Sequence, residues 1–173
     1  MNKYTKYLIL LAVSSTFTLV GCSASNTSTD NSSPKPTAPV SAADAAKAIK
    51  ERENYNSIDL NKLPQGVSLT GSNPEEIAFS LKAAAIAAFP APKEEPQEGN
   101  FQRDVTIKPV TPNLTTVIIT ETGLLDDSVN GIRDRADFEL SEADKSWKMV
   151  WAGKQYKCQS GRGSQDFTKQ LCS

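Results

Sequence analysis

Between Phe101 and Cys158 the chain alternates apolar and polar residues over four stretches, the spacing at which side chains of an extended strand point to opposite faces. Phe101 to Val110 puts Phe101, Val105 and Ile107 on one face and Gln102, Asp104, Thr106 and Lys108 on the other, and Thr115 to Gly123 is rich in Thr, Val and Ile. Gly131 to Leu140 alternates Ile132, Ala136, Phe138 and Leu140 with Arg133, Arg135, Asp137 and Glu139. Ser146 to Cys158 sets Trp147, Met149 and Trp151 against Lys148, Val150 and Ala152. Period two with one polar face predicts an antiparallel sheet covered on one side only. The connections at Pro112-Asn113 and Glu142 to Lys145 have hairpin length, and Leu124 to Asn130 is a longer loop.

Helical signals precede the strands. In Ser72-Asn73-Pro74-Glu75-Glu76, Asn73 can cap, Pro74 suits the first helical position and two carboxylates face the positive end of the helix dipole. The helix predicted there carries Ile77, Leu81, Ala84, Ala85 and Ala88 on one stripe, with Phe79 and Ile86 beside it, and stops at Phe89-Pro90. A helix this apolar must be buried against the sheet. A weaker segment, Ser41 to Asn54, has Ser41 as N-cap, Asp44 in the first turn and Ala42, Ala45 and Ile49 on one face, the pattern of a loosely docked helix. The expected fold is α+β: one main helix on a four-stranded antiparallel meander over residues 67–173, preceded by a short helix and lead-in over 41–66. A helix followed by long antiparallel strands resembles nuclear-transport-factor-2-like (NTF2-like) and cystatin-like folds, in which a curved sheet wraps the helix.

The first forty residues read differently. Lys3 and Lys6 precede a mostly apolar run from Leu8 to Val20, too short at about 1.5 Å per residue to cross a bilayer core of about 30 Å. The run ends in Leu19-Val20-Gly21-Cys22, which resembles the lipobox of bacterial lipoproteins. That resemblance implies a signal peptide over 1–21 and a lipid on Cys22 that anchors the protein to a membrane of the bacterial cell envelope, facing away from the cytoplasm. Residues 23–40 are dominated by Ser, Thr, Asn and Pro, with Val40 the one large apolar side chain, so 22–40 is expected to be a lipidated Cys and a disordered tether. With Cys22 consumed by lipid, Cys158 and Cys172 remain as an even pair in an exported chain, which predicts a disulfide.

Composition narrows the chemistry. The 173 residues include no His, which removes Ser-His-Asp and Cys-His nucleophile pairs and His-ligated zinc. Nineteen basic against 20 acidic residues, with no basic block, argue against a nucleic-acid partner. Neither a metal nor any other cofactor is expected. Asp126-Asp127 is an acidic pair in a loop, but Asn130 and Glu121 do not complete a calcium spacing, so its more ordinary role is to accept backbone N–H groups in a turn or to pair with Arg133. Arg133 and Arg135, with Asp137 and Glu139, form a mixed-charge strand face that is either solvated or, together with Asp126 and Asp127, a ligand or partner surface. Gly161-Arg162-Gly163-Ser164 reads as a tight turn within the Cys158–Cys172 loop, with Phe167 and Leu171 packed back on the domain.

The C-terminal half, with Leu125-Asp126-Asp127-Ser128-Val129-Asn130-Gly131-Ile132-Arg133, Trp147, Val150-Trp151-Ala152-Gly153, Cys158, Gly161-Arg162-Gly163 and Cys172, resembles an uncharacterised group of exported bacterial proteins. The resemblance implies a shared fold and carries no activity. The functional expectation is a non-enzymatic lipoprotein whose domain binds an envelope protein or a cell-surface polymer. The alternative is a small-ligand or cryptic enzymatic module built on an NTF2-like cavity, which requires a pocket with a few converging polar groups.

Overall fold

The computed structural model describes residues 41–64, 69, 71, 73–92 and 100–173; the signal, Cys22 and tether expected from the sequence lie outside the described residues. Helix α1 covers Ala42–Glu51 and begins where Ser41 donates its backbone N–H to the Asp44 carboxylate at 3.0 Å, holding that carboxyl below its ordinary range. It tightens into a 3-10 turn at Arg52–Asn54, followed by the short strand β1, Asn56–Ser57. Helix α2 covers Pro74–Ala88, with Asn73 Oδ1 accepting the Glu76 N–H at 2.9 Å and the chain leaving the helix at Phe89. Four long strands follow: β2 Gln102–Thr111, β3 Leu114–Thr122, β4 Val129–Leu140 and β5 Trp147–Cys158.

The protein is therefore α+β, with two helices and one antiparallel sheet in the order β1-β5-β4-β3-β2. The sheet has five strands, not the four expected. The extra one is a two-residue edge in which Asn56 pairs with Lys154 and Ser57 with Gly153, too short to leave a periodic trace in the sequence. Ile107, Val117, Ala136 and Ala152 align across β2 to β5, and α2 packs on this face through Leu81, Ala85 and Ala88. Val117, Ala136, Ala152 and Ala85 are wholly buried, and burying a side chain the size of Leu81 contributes about 1.5–3 kcal/mol. The expected burial of α2 is one-sided: Phe79 stays 75% exposed and Ile86 41%.

The opposite face is not bare, as one-sided cover predicted. Helix α1 lies on it, with Ala45 and Ala48 against Val110 and Leu114, and the small Ala48 side allows Arg135 to donate to the Ala48 carbonyl at 2.9 Å. The loosely docked helix thus seals a charged layer, while Ile49 remains half exposed. The Trp pair also divides. A bulge leaves Val150 without a partner between Phe138 opposite Met149 and Asp137 opposite Trp151. Trp147 and Met149 consequently face α2, whereas Trp151 turns to the α1 side and meets Tyr55 edge-on at 5.9 Å.

Cys158 and Cys172 form a disulfide, with Cα atoms 5.4 Å apart. The loop between them turns at Gly163, whose φ of 142° disfavours any side chain and where an added Cβ would lie 2.8 Å from the Cys158 sulfur. Phe167 lies under the Arg133 guanidinium at 4.1 Å, but Leu171 is 73% exposed and does not pack back. Among the described residues no helix is long and apolar enough to cross a membrane.

Candidate functional site

Four charged residues stand in phase with the apolar positions of the α2 face, one on each long strand. Arg103 opposes Glu121 across β2 and β3, and Asp134 opposes Lys154 across β4 and β5. Glu121 pairs with Ile132 and Asp134 with Ile119, so the two carboxylates are diagonal neighbours. The result is a row ordered cation, carboxylate, carboxylate, cation.

This row lies where α2 ends. Arg103 donates to the Phe89 carbonyl, closing the last turn of the helix, and Ala88 and Phe89 form part of the wall of a solvent-open cavity of about 550 Å³. Glu121, Asp134, Lys154 and Tyr156 supply polar wall groups. Ile58, Leu63, Pro90 and Ile132 supply apolar ones. Its size falls in the range of sites for small organic ligands.

Glu121 and Asp134 are each 5% exposed. Each is ion-paired to its cation, Arg103 Nε at 3.3 Å from Glu121 Oε1 and Lys154 Nζ at 3.4 Å from Asp134 Oδ1, and these two oxygens have almost no accessible surface. Burial disfavours the ionised form and pushes Asp134 up to about 6, against the pull of Lys154, with neighbouring Glu121 adding to the rise and Arg103 opposing it. Glu121 is raised by the same loss of solvent, opposed by Arg103 and Lys154. The arrangement can hold a proton near neutral pH, accept hydrogen bonds from a bound molecule and present an apolar wall beside them.

The residues singled out by sequence lie elsewhere. Asp126 Oδ1 accepts the backbone N–H groups of Ser128 and Val129 at 2.8 and 2.7 Å, which lowers its carboxyl and accounts for it as a turn residue; Asp127 is exposed beside it. Arg133 reaches Thr120 and Phe167, on the face away from α2. Arg135 is not at a surface at all: it is 2% exposed, binds Asp137 at 2.8 and 3.0 Å, and lies within 5.7 Å of the Tyr55 and Trp151 ring centroids. Asp137 also accepts from Arg52 at 2.7 Å and Thr116 at 2.7 Å, so this layer is internally satisfied and holds α1 down. The mixed-charge face expected there is sealed at Arg135 and Asp137, while Arg133 is half-buried and Glu139 exposed, and the structure does not gather Asp126, Asp127, Arg133 and Arg135 into one site.

Sequence reasoning missed Arg103, Asp134 and Lys154, and weighed Glu121 only as a calcium ligand. Each interrupts an apolar face in phase: Arg103 before Val105, Glu121 after Ile119, Asp134 between Ile132 and Ala136, Lys154 after Ala152. Among the described residues no group of three or more His, Cys, Asp or Glu is placed to hold a metal ion. No protein-family model, curated protein or solved structure matches the chain.

Proposed function

We propose that the protein is an envelope lipoprotein, anchored through Cys22, whose domain binds a small organic ligand in the cavity between the end of α2 and the sheet. The observation that carries the binding reading is the cavity of about 550 Å³, whose wall sets the carboxylate-bearing residues Glu121 and Asp134 beside Ile58, Leu63, Pro90 and Ile132. A cavity of this kind favours a small ligand over the envelope protein or polymer partner expected from sequence. It also favours an NTF2-like over a cystatin-like relationship for the fold.

The anchor rests on Lys3, Lys6, the short apolar run and Leu19-Val20-Gly21-Cys22 in that order. Mass spectrometry of the protein from cells should find Cys22 acylated at the N-terminus, and Cys22→Ser should leave the membrane fraction. Binding is tested by NMR screening of a small-molecule library against the full chain. Hits should shift Phe89, Glu121, Ile132 and Asp134, and the cavity-filling Ile132→Trp should abolish them. Hits confined to other surfaces, or none, would refute the cavity as a binding site.

A further inference from the structure

We infer that the protein pairs with a second copy of itself along the open edge of β2, strand against strand and antiparallel, with Thr106 on the two-fold axis. The two five-stranded sheets then run into one.

The two edges of the sheet differ. The outer side of β5 is met along its length: Leu69 bridges to Trp147, β1 pairs with Gly153 and Lys154, and Thr168 bridges to Tyr156. β2 is the last strand on the other side, and among the described residues no strand or bridge meets its outer edge. Over Gln102–Thr111 it therefore offers a row of backbone N–H and C=O groups, a template for another strand.

The side chains of that edge are complementary to themselves. In an antiparallel pair centred on Thr106, each residue faces the one equally far beyond the centre. Asp104 then opposes the partner's Lys108, and Lys108 the partner's Asp104, on the face that carries α1. Both are exposed, and among the described residues neither stands in an ion pair, although Lys108 is near enough to Asp44 to help hold that carboxyl low. On the α2 face Val105 opposes the partner's Ile107, and these two half-buried side chains extend the apolar layer across the seam. Moving the centre by one residue sets Arg103 against Ile107, or Val105 against Pro109. Moving it by two brings Asp104 onto Asp104, or Lys108 onto Lys108. Thr106 is thus the centre that matches charge with charge and apolar with apolar. Pro109, which has no N–H to give, falls opposite Arg103 at the end of the stretch, so residues 104–108 keep every donor.

The symmetry also suits the anchor proposed on Cys22. A two-fold axis through such a pair stands normal to the sheet, which puts both copies of α2 on one face and both copies of α1 on the other. Ser41, at the start of α1, then lies on the same side in both copies, as two lipid anchors in one membrane require. Copies held at one membrane surface meet at a higher effective concentration than in solution, so a short seam suffices.

The test is cysteine crosslinking of the full chain in the cells that make it, joined to sedimentation of the purified protein. Thr106→Cys places two thiols across the axis with Cα atoms about 4.5–5.5 Å apart, within disulfide reach. Mild oxidation should convert this variant to a covalent dimer. Gln102→Cys, about 26 Å from its own copy at 3.3 Å per residue, should stay uncrosslinked. Asp104→Lys sets like charges opposite each other at both ends of the seam and should weaken dimerisation at least about tenfold, as should Lys108→Asp. The double variant that exchanges the two charges should restore it. All four positions are exposed, so none of these changes opens the core. No crosslink at 106, or equal crosslinking at 102 and 106, would overturn the seam. So would single reversals that leave sedimentation unchanged, or a double exchange that fails to restore the dimer.

Discussion

Asp134 sits in phase with the core side of β4, and burial there raises its carboxyl from 3.8 to about 6. The native state therefore binds this proton more tightly than the unfolded chain does. Its stabilising contribution is complete below the unfolded value and is lost as pH rises through about 6, a change of up to about 3 kcal/mol at 1.36 kcal/mol per unit. Asp44 and Asp126 act in the opposite sense, since their lowered values add stability that disappears in acid. Asp134→Asn should flatten the decline between pH 4 and 6 and raise stability at pH 7 by about 1–2 kcal/mol, measured by urea unfolding across that range. A decline unchanged in the variant would assign it to another group. Asp137 is wholly buried and accepts hydrogen bonds from Arg52, Thr116 and Arg135. Asp137→Ala strands the Arg135 guanidinium, 2% exposed, and should cost about 3–5 kcal/mol in the same assay.

The elements show which parts of this architecture a sequence makes legible. The four long strands and α2 fall close to their expected limits because their signals are local: period two for the strands, and Asn73-Pro74 and Phe89-Pro90 as punctuation for the helix. The face assignments of β5 were not legible, because a single unpaired residue at Val150 inverts the alternation and nothing in Met149-Val150-Trp151 announces it. The role of α1 was hidden for a related reason, since its Ala face looks weak until Arg135 is seen to need a carbonyl from it. The candidate site was least legible of all. Arg103, Glu121, Asp134 and Lys154 are single interruptions on four strands, and only register places them in one row. The C-terminal element, by contrast, was readable from cysteine parity. Cys158→Ser should lower stability by about 2–4 kcal/mol, read from thermal or chemical unfolding under non-reducing conditions.

At the level of the whole molecule, the folded unit extends further toward the N-terminus than a domain beginning at residue 67. Arg52 and the Ala48 carbonyl, both N-terminal to it, complete the Asp137 and Arg135 network, and β1 covers part of the β5 edge. A chain beginning at Ser41 should melt within about a degree of the chain beginning at Cys22, because residues 23–40 carry almost nothing to bury. A chain beginning at Val67 should lose cooperative unfolding, because it leaves a buried ion cluster open and an edge unpaired. Calorimetry on the three chains separates these outcomes, and equal melting of all three would show that α1 is dispensable.

The bulge at Val150 also gives the protein two built-in optical reporters. Trp147 is 6% exposed among the aliphatic side chains under α2, while Trp151 lies against Tyr55 with the Arg52 and Arg135 guanidinium carbons 5.4 and 5.6 Å from its ring centroid. One indole therefore senses an apolar medium and the other a charged one, on opposite sides of the same sheet. In single-tryptophan variants, emission from Trp147 should respond to events at the α2 layer and emission from Trp151 to lifting of α1, so intrinsic fluorescence alone can tell which side of the molecule opens first.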